Sequence, residues 1–446
     1  MRQFGNLRAI KPPPIYVDSF IEPWSASWAL AGNDVSIMHR YIKSAVAVCV
    51  LAVLPAWGAS PWTFTPSLTV KEGYDDNIYL QSQGELADHD SLVTSVMPSL
   101  ALSYQGTEGW KPLLELKYAP EASFYHSEHD EDNVTHNIGA NFKGRKDGWS
   151  FDLANTVTAI DGSHYSPTFV APGSIPAMGG IALRDRRDAA ILRTNYVLRY
   201  DHGDYMLRAV VTTYIHDFQT AQRTTAGYEN YVDRAEFNGG VDAGYKFMPD
   251  TYAIIGYRFG YQDQSELFDS PLAYSSYYQR ILFGVEGKPT SWVKLSLIGG
   301  PDFRDFTGTQ VDGFDTRQTK IFVDSTATFT LTPDDQVTLL MRQFLQVSFC
   351  GRAIYEDITY QASYKHQFTP KASATLLLRS YTGDWQNPST RNDTIYTAGV
   401  SAAYKLNDNV SLEAGYNLEL AESNIPDTDA REYQRNTMFV GARYAF

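Results

Sequence analysis

Five arginines, Arg193, Arg258, Arg280, Arg342 and Arg379, recur with one spacing. Each lies about eight to ten residues from a short polar turn, on the polar side of an alternating run. Carboxylates share that parity: Asp152, Glu236, Asp242, Asp324, Glu413 and Glu419. Their chemistry is that of charge. A guanidinium half-way along a strand must meet water or a carboxylate, because desolvating it alone is costly. Signals for bond-making chemistry are absent. The chain has nine histidines, and those beyond residue 60 show no metal-ligand spacing. No Gly-x-Ser-x-Gly occurs. The expectation is a protein that is no enzyme, with no cofactor and no metal. A formal net charge of −14 argues against a nucleic-acid surface.

The elements that carry these residues are strands. Eight short polar turns punctuate the chain at 106–109, 145–148, 202–204, 248–250, 287–291, 332–335, 368–371 and 406–409. They recur at intervals of roughly 40 residues, with two long strand patterns and a longer polar loop between them. Propeller blades have a similar period but carry four short strands. Eight turns and two flanking strands predict an all-β, antiparallel barrel of 18 strands, with 16 as the alternative. Both ends of the strand series then lie on the short-turn side.

Strand faces alternate. Leu192, Tyr196, Leu198 and Tyr200 interleave with Arg193, Asn195 and Arg199. Val241, Ala243, Tyr245 and Phe247 interleave with Asp242, Gly244 and Lys246. A water-filled barrel turns the polar set inward, whereas a soluble sandwich turns it outward; periodicity fits both. Aromatic placement favours the barrel. Tyr104, Phe142, Trp149, Tyr200, Tyr205, Tyr245, Phe247, Tyr252, Tyr364, Tyr404 and Tyr444 fall on the apolar parity beside the short turns. That is a girdle at one height, where rings suit a water–lipid boundary.

Residues 38–59 read as a secretory signal peptide. His39, Arg40 and Lys43 precede an apolar run from Ser44 to Leu54, and small residues around Gly58 suit cleavage. Eleven apolar residues are too few to span roughly 30 Å as a helix. Translation is expected to start at Met38, which leaves residues 1–37 as an upstream extension and 60–446 as the barrel. Without residues 1–59 the chain keeps 32 basic and 48 acidic residues, a net of −16. Of the two cysteines, Cys49 leaves with the signal, so Cys350 has no partner within the chain.

The final strand pattern, Tyr433 to Phe446, places Met438, Val440, Ala442, Tyr444 and Phe446 on one face and Arg435, Thr437 and Arg443 on the other. With Tyr444 and a terminal Phe446, it looks like the closing strand of an outer-membrane barrel, the segment its assembly machinery recognises. The first strand ends in Gly73-Tyr74-Asp75-Asp76-Asn77-Ile78-Tyr79. This element after a signal peptide, followed by Tyr-ending strands and a C-terminal Phe, resembles the putative β-barrel porin family of type 2. The resemblance spans most of residues 61–446. It implies a barrel in the bacterial outer membrane, among lipid and lipopolysaccharide. Asp75-Asp76-Asn77 is read as a turn bonded to its own backbone, with divalent-cation binding as the alternative.

The longest loop, Asp161 to Asp185, carries apolar residues that would be poorly placed in bulk water, in a Gly/Pro-rich stretch. His164, Tyr165, Phe169 and Met178 are candidate constriction residues if it folds into the bore; an outer cap or a contact with a neighbouring subunit is the other reading. The arginines lie on middle and later strands, and Asp152, Glu413 and Glu419 lie near the closure. That segregation would give the bore a transverse field; local ion pairs are the alternative. Three functions fit: passive diffusion of small hydrophilic solutes, export of a secreted polysaccharide, or a non-transport barrel such as an adhesin, receptor or enzyme.

Overall fold

A computed structural model describes residues 61–446 except 86, 88, 163–187, 225–229, 269, 350–352, 387–389 and 426–431. The strands, in chain order, begin with β1 (Trp62–Asp75), β2 (Ser91–Gln105), β3 (Leu113–Tyr118) and β4 (Glu121–Tyr125). There follow β5 (Asn133–Lys146), β6 (Trp149–Asp161), β7 (Ala189–His202), β8 (Tyr205–Phe218) and β9 (Arg234–Met248). Next come β10 (Thr251–Gln264), β11 (Ser276–Thr290), β12 (Val293–Phe306), β13 (Arg317–Thr330) and β14 (Asp335–Val347). The last five are β15 (Ile354–Thr369), β16 (Ala372–Trp385), β17 (Arg391–Lys405), β18 (Val410–Ser423) and β19 (Tyr433–Ala445).

Strands adjacent in sequence pair antiparallel, except β3 with β4, and β19 pairs back onto β1 from Ala445↔Ser67 to Thr437↔Asp75. The sheet is therefore closed and has no edge. β3 and β4 both pair with β2 and β5, so they fill one position in the wall. Ala119 and Pro120 separate them; proline has no N–H to give to the ladder. The wall thus has the 18 strand positions that the turn pattern predicts.

All eight short turns are present. The two-residue turn Asp147–Gly148 has φ of 50° and 84°, the double left-handed conformation of a type I′ hairpin. One turn lies later than expected. β11 runs on to Thr290, and Gly287, at φ 142°, sits in a bulge of the β11–β12 ladder. Glycine therefore marks an irregular strand there, and Ser291–Trp292 make the turn.

Contacts between distant strands show which face is which. Arg234 on β9 donates to Gln346 Oε1 on β14 at 2.6 Å, and Gln264 on β10 donates to the Ser348 carbonyl at 2.7 Å. Strands that far apart in a closed wall touch only through its concave side. The polar parity faces the bore. The other parity carries the exposed Leu198, Leu207, Val241, Ile255, Phe283, Ile321, Leu378 and Val440 around the outside. Near the short turns, Trp149, Tyr205, Tyr245, Phe247, Tyr364, Tyr404 and Tyr444 are exposed outward as expected. Tyr252 is not. It shares the face of β10 that carries Ile254 and Arg258, with no break between them, and so points inward, where its ring lies 4.9 Å from the Arg199 guanidinium.

Candidate functional site: the charged bore

Asp242 and Arg258 face the bore from β9 and β10. Arg258 grips the carboxylate with two nitrogens, at 2.6 and 2.9 Å. Arg208 on β8 reaches the same carboxylate at 2.7 Å and Glu286 on β11 at 2.7 Å. Gly256 stands opposite Asp242 in the register, and a Cβ there would overlap Asp242 Oδ1. The glycine is the space in which the pair forms. Gly256→Val should eject Asp242, cost about 3–5 kcal/mol by leaving Arg258 unpaired, and lower the urea midpoint of the folded barrel.

One step round the wall, Arg280 donates to Asp302 at 2.8 Å, directly across the β11–β12 ladder, with Arg304 at 3.5 Å. The Arg280 guanidinium lies 4.3 Å from the rings of both Tyr278 and Phe322. Tyr278 donates to Glu236 at 2.6 Å and lies over Gly260, where any Cβ would meet the ring. Aromatic faces and carboxylates together desolvate these cations without leaving them uncompensated.

The remaining expected residues also face inward and are also paired. Arg342 lies opposite Asp324, at 3.6 Å. Arg379 donates to Thr397 at 3.0 Å and reaches Glu419 two strands away at 3.5 Å. Glu413 takes Lys71 at 3.0 Å, and Asp152 takes Lys143 at 3.1 Å. Phe439, the one large apolar residue on the polar face of the last strand, is buried under the Lys71 ammonium, 4.5 Å from its ring, in room left by Gly415. Arg193 alone among the five arginines has no carboxylate partner among the described residues.

The transverse segregation of charge is therefore not what the wall builds. The register sets Arg280 against Asp302 and Arg342 against Asp324, so the charges cancel locally. Removing the cations has a clear consequence. With Arg258, Arg280 and Arg342 changed to alanine, Asp242 keeps Arg208 and Asp302 keeps Arg304, while Asp324, 58% exposed, is left free in the bore. Reversal potentials in a salt gradient should move toward cation selectivity.

Two segments enter the bore at the long-loop end. The loop after β1 turns inward, and Leu80 packs with Tyr381, Ile395, Ala421 and Tyr433 on the inner face of β16 to β19. Beside it, burial and the neighbouring Glu131 and Glu128 carboxylates push the Tyr79 hydroxyl up to about 12, so it stays protonated. The second segment is the end of β14. The β13–β14 ladder stops at Val323↔Gln343, yet β14 stays paired with β15 to Val347↔Ile354. β14 leaves β13 and leans across the bore. Leu345 and Val347 pack with Tyr274, Phe306 and Ile354, and Phe349 meets His216 and Phe218. His164, Tyr165, Phe169 and Met178 lie outside the described residues, as does Cys350.

The Asp75-Asp76-Asn77 element stitches the first strand to the last. Asp75 is ion-paired with Arg435 on β19, Asp76 accepts both the backbone and side-chain nitrogens of Asn436 at 2.6 Å, and Asn77 donates to the Gln434 carbonyl at 2.9 Å. The Asn77 amide also donates to Asp75 Oδ1 at 3.1 Å, the local turn bond expected from sequence. Among the described residues no group of three or more His, Cys, Asp or Glu is placed to hold a metal. Sequence reasoning missed Arg208, Arg234, Glu286, Asp302, Arg304 and Arg435 as bore charges, although strand parity alone would have found them.

Residues 308–446 match the family model described as Putative beta-barrel porin 2. No curated protein matches the sequence. Among solved structures, the outer membrane protein opdK from Pseudomonas aeruginosa aligns at 9% identity, over 86% of this chain and 99% of that one, with a TM-score of 0.41. Acinetobacter baumannii OccAB3 aligns at 11% identity over 86% and 99%, also at 0.41. Pseudomonas aeruginosa OccK9 (OpdG) aligns at 11% identity over 86% and 98%, at 0.40.

Proposed function

We propose that this barrel sits in a bacterial outer membrane as a channel for passive diffusion of small hydrophilic solutes. One observation carries the reading: the apolar parity covers the outside and the charged parity lines the bore. Such a surface is unfavourable in water and stable in hydrocarbon, and the bore offers solutes polar partners throughout. The family model matching the last third of the chain describes a porin, which agrees. Residues 38–59 serve as the export signal, and the strand ending in Tyr444 and Phe446 is the handle for the assembly machinery. Lipid meets the outer wall, and lipopolysaccharide meets the long loops.

The first loop and the end of β14 both reduce the open cross-section, which favours small solutes over a polymer chain. The reading assigns transport rather than catalysis to the charged bore. Planar-bilayer recording of the refolded barrel tests it. Stepwise conductance in potassium chloride is expected, with a blocking threshold among neutral sugars of increasing size. A bilayer that stays silent with folded protein inserted would overturn the reading.

A further inference from the structure

Bore cations such as Arg258 and Arg280 sit beside carboxylates, but one place differs. Arg193 on β7 and Arg234 on β9 lie within 5.2 and 4.7 Å of the same ring, Tyr214 on the intervening β8. Neither forms an ion pair with any described residue. Arg234 is 2% exposed, yet its hydrogen-bond acceptors are neutral: Gln346 Oε1 at 2.6 Å and the Val347 carbonyl at 3.3 Å. Its Nε and Nη2 are buried without a partner, as is His216 Nε2 in the same cluster. The nearby carboxylate on β9, Glu236, is occupied by the Tyr278 hydroxyl, and the Asp233 carboxylate accepts the Phe218 amide.

A buried guanidinium held only by amide oxygens is poorly compensated. Oxyanions bind guanidinium in a two-pronged geometry that amides cannot match, and about twice as strongly. We propose that Arg193 and Arg234 form a binding site for an anionic oxo group, a carboxylate or a phosphate, on solutes crossing the bore. The anion takes over Arg234 from Gln346 and Val347. These residues are the end of β14, the segment that leans across the bore, so the site lies at the narrowing. The inference rests on the channel reading and names its substrate class.

The test needs no bilayer, so a channel that does not conduct and a site that does not bind remain separate results. Isothermal titration of the folded barrel in detergent uses malonate and inorganic phosphate as probes. Saturable binding of at least one is expected, and the tighter of the two identifies the source of the oxyanion. Arg193→Gln should weaken it about tenfold or more. Gln346→Glu should do the same while raising the thermal midpoint, because it supplies Arg234 with an internal carboxylate. Lys405→Gln, at a lysine paired with Asp408 beside a short turn at the opposite end of the wall, should leave the affinity unchanged. No binding of either probe to the unaltered barrel, or an affinity in Arg193→Gln and Gln346→Glu equal to that of the unaltered barrel, would overturn the proposal.

Discussion

Changing Arg435 to alanine is expected to destabilise the barrel by about 3–5 kcal/mol, the usual cost of leaving a buried charge alone. Asp75 is 1% exposed and Arg435 8%, and their ion pair bridges the seam where the last strand meets the first. Glu419, at 3.8 Å from Arg435, retains Arg379 when Arg435 is lost. The uncompensated group is therefore Asp75. Its remaining partner among the described residues is the Asn77 amide, which cannot neutralise a carboxylate. Urea titration of the folded fraction, read from the heat-modifiable gel band, should show a large drop in midpoint. Asp75→Ala added to Arg435→Ala should recover much of it, since no charge is then buried alone. If the double variant is as weak as the single one, the seam depends on shape rather than charge.

The sequence showed the wall far better than the bore. Alternation from Leu192 to Tyr200 and from Val241 to Phe247 sets strands, turns set their number, and both follow from local chemistry. Gly287 was misplaced because it sits in a bulge, and a bulge depends on the neighbouring strand; Tyr252 shares the parity of Arg258, and its aromatic ring beside a turn does not by itself face lipid. Periodicity was silent on which face is inside, because a sandwich alternates equally well. Contacts such as Arg234 with Gln346 decide that question, and they join residues 112 positions apart. The arginines were legible as bore residues by parity. Their pairing was not, since Arg280 meets Asp302 only through a register that one turn and a bulge determine together.

The first loop shows the same limit and supports the second large prediction. Nothing local marks Leu80 as a plug; Ile78, Tyr79 and Leu86 are apolar residues of the same loop. Yet it is 3% exposed and held at φ 55°, a conformation a leucine adopts only when surrounding contacts compensate the strain. Those contacts are Tyr381, Ile395, Ala421 and Tyr433 on the inner wall. Leu80→Glu would put an unpaired carboxylate among them, which costs more than the packing returns. The loop should leave its seat while Asp75 and Asp76 keep the seam closed. Single-channel conductance should then rise, the size threshold for sugars should move upward, and the loop should become open to proteolysis. A loop that is cut by protease while conductance stays at the unaltered value would mean that the narrowing lies elsewhere, at the end of β14. Phe349→Ala, which removes a ring packed against His216 and Phe218, would then be the variant that widens the bore.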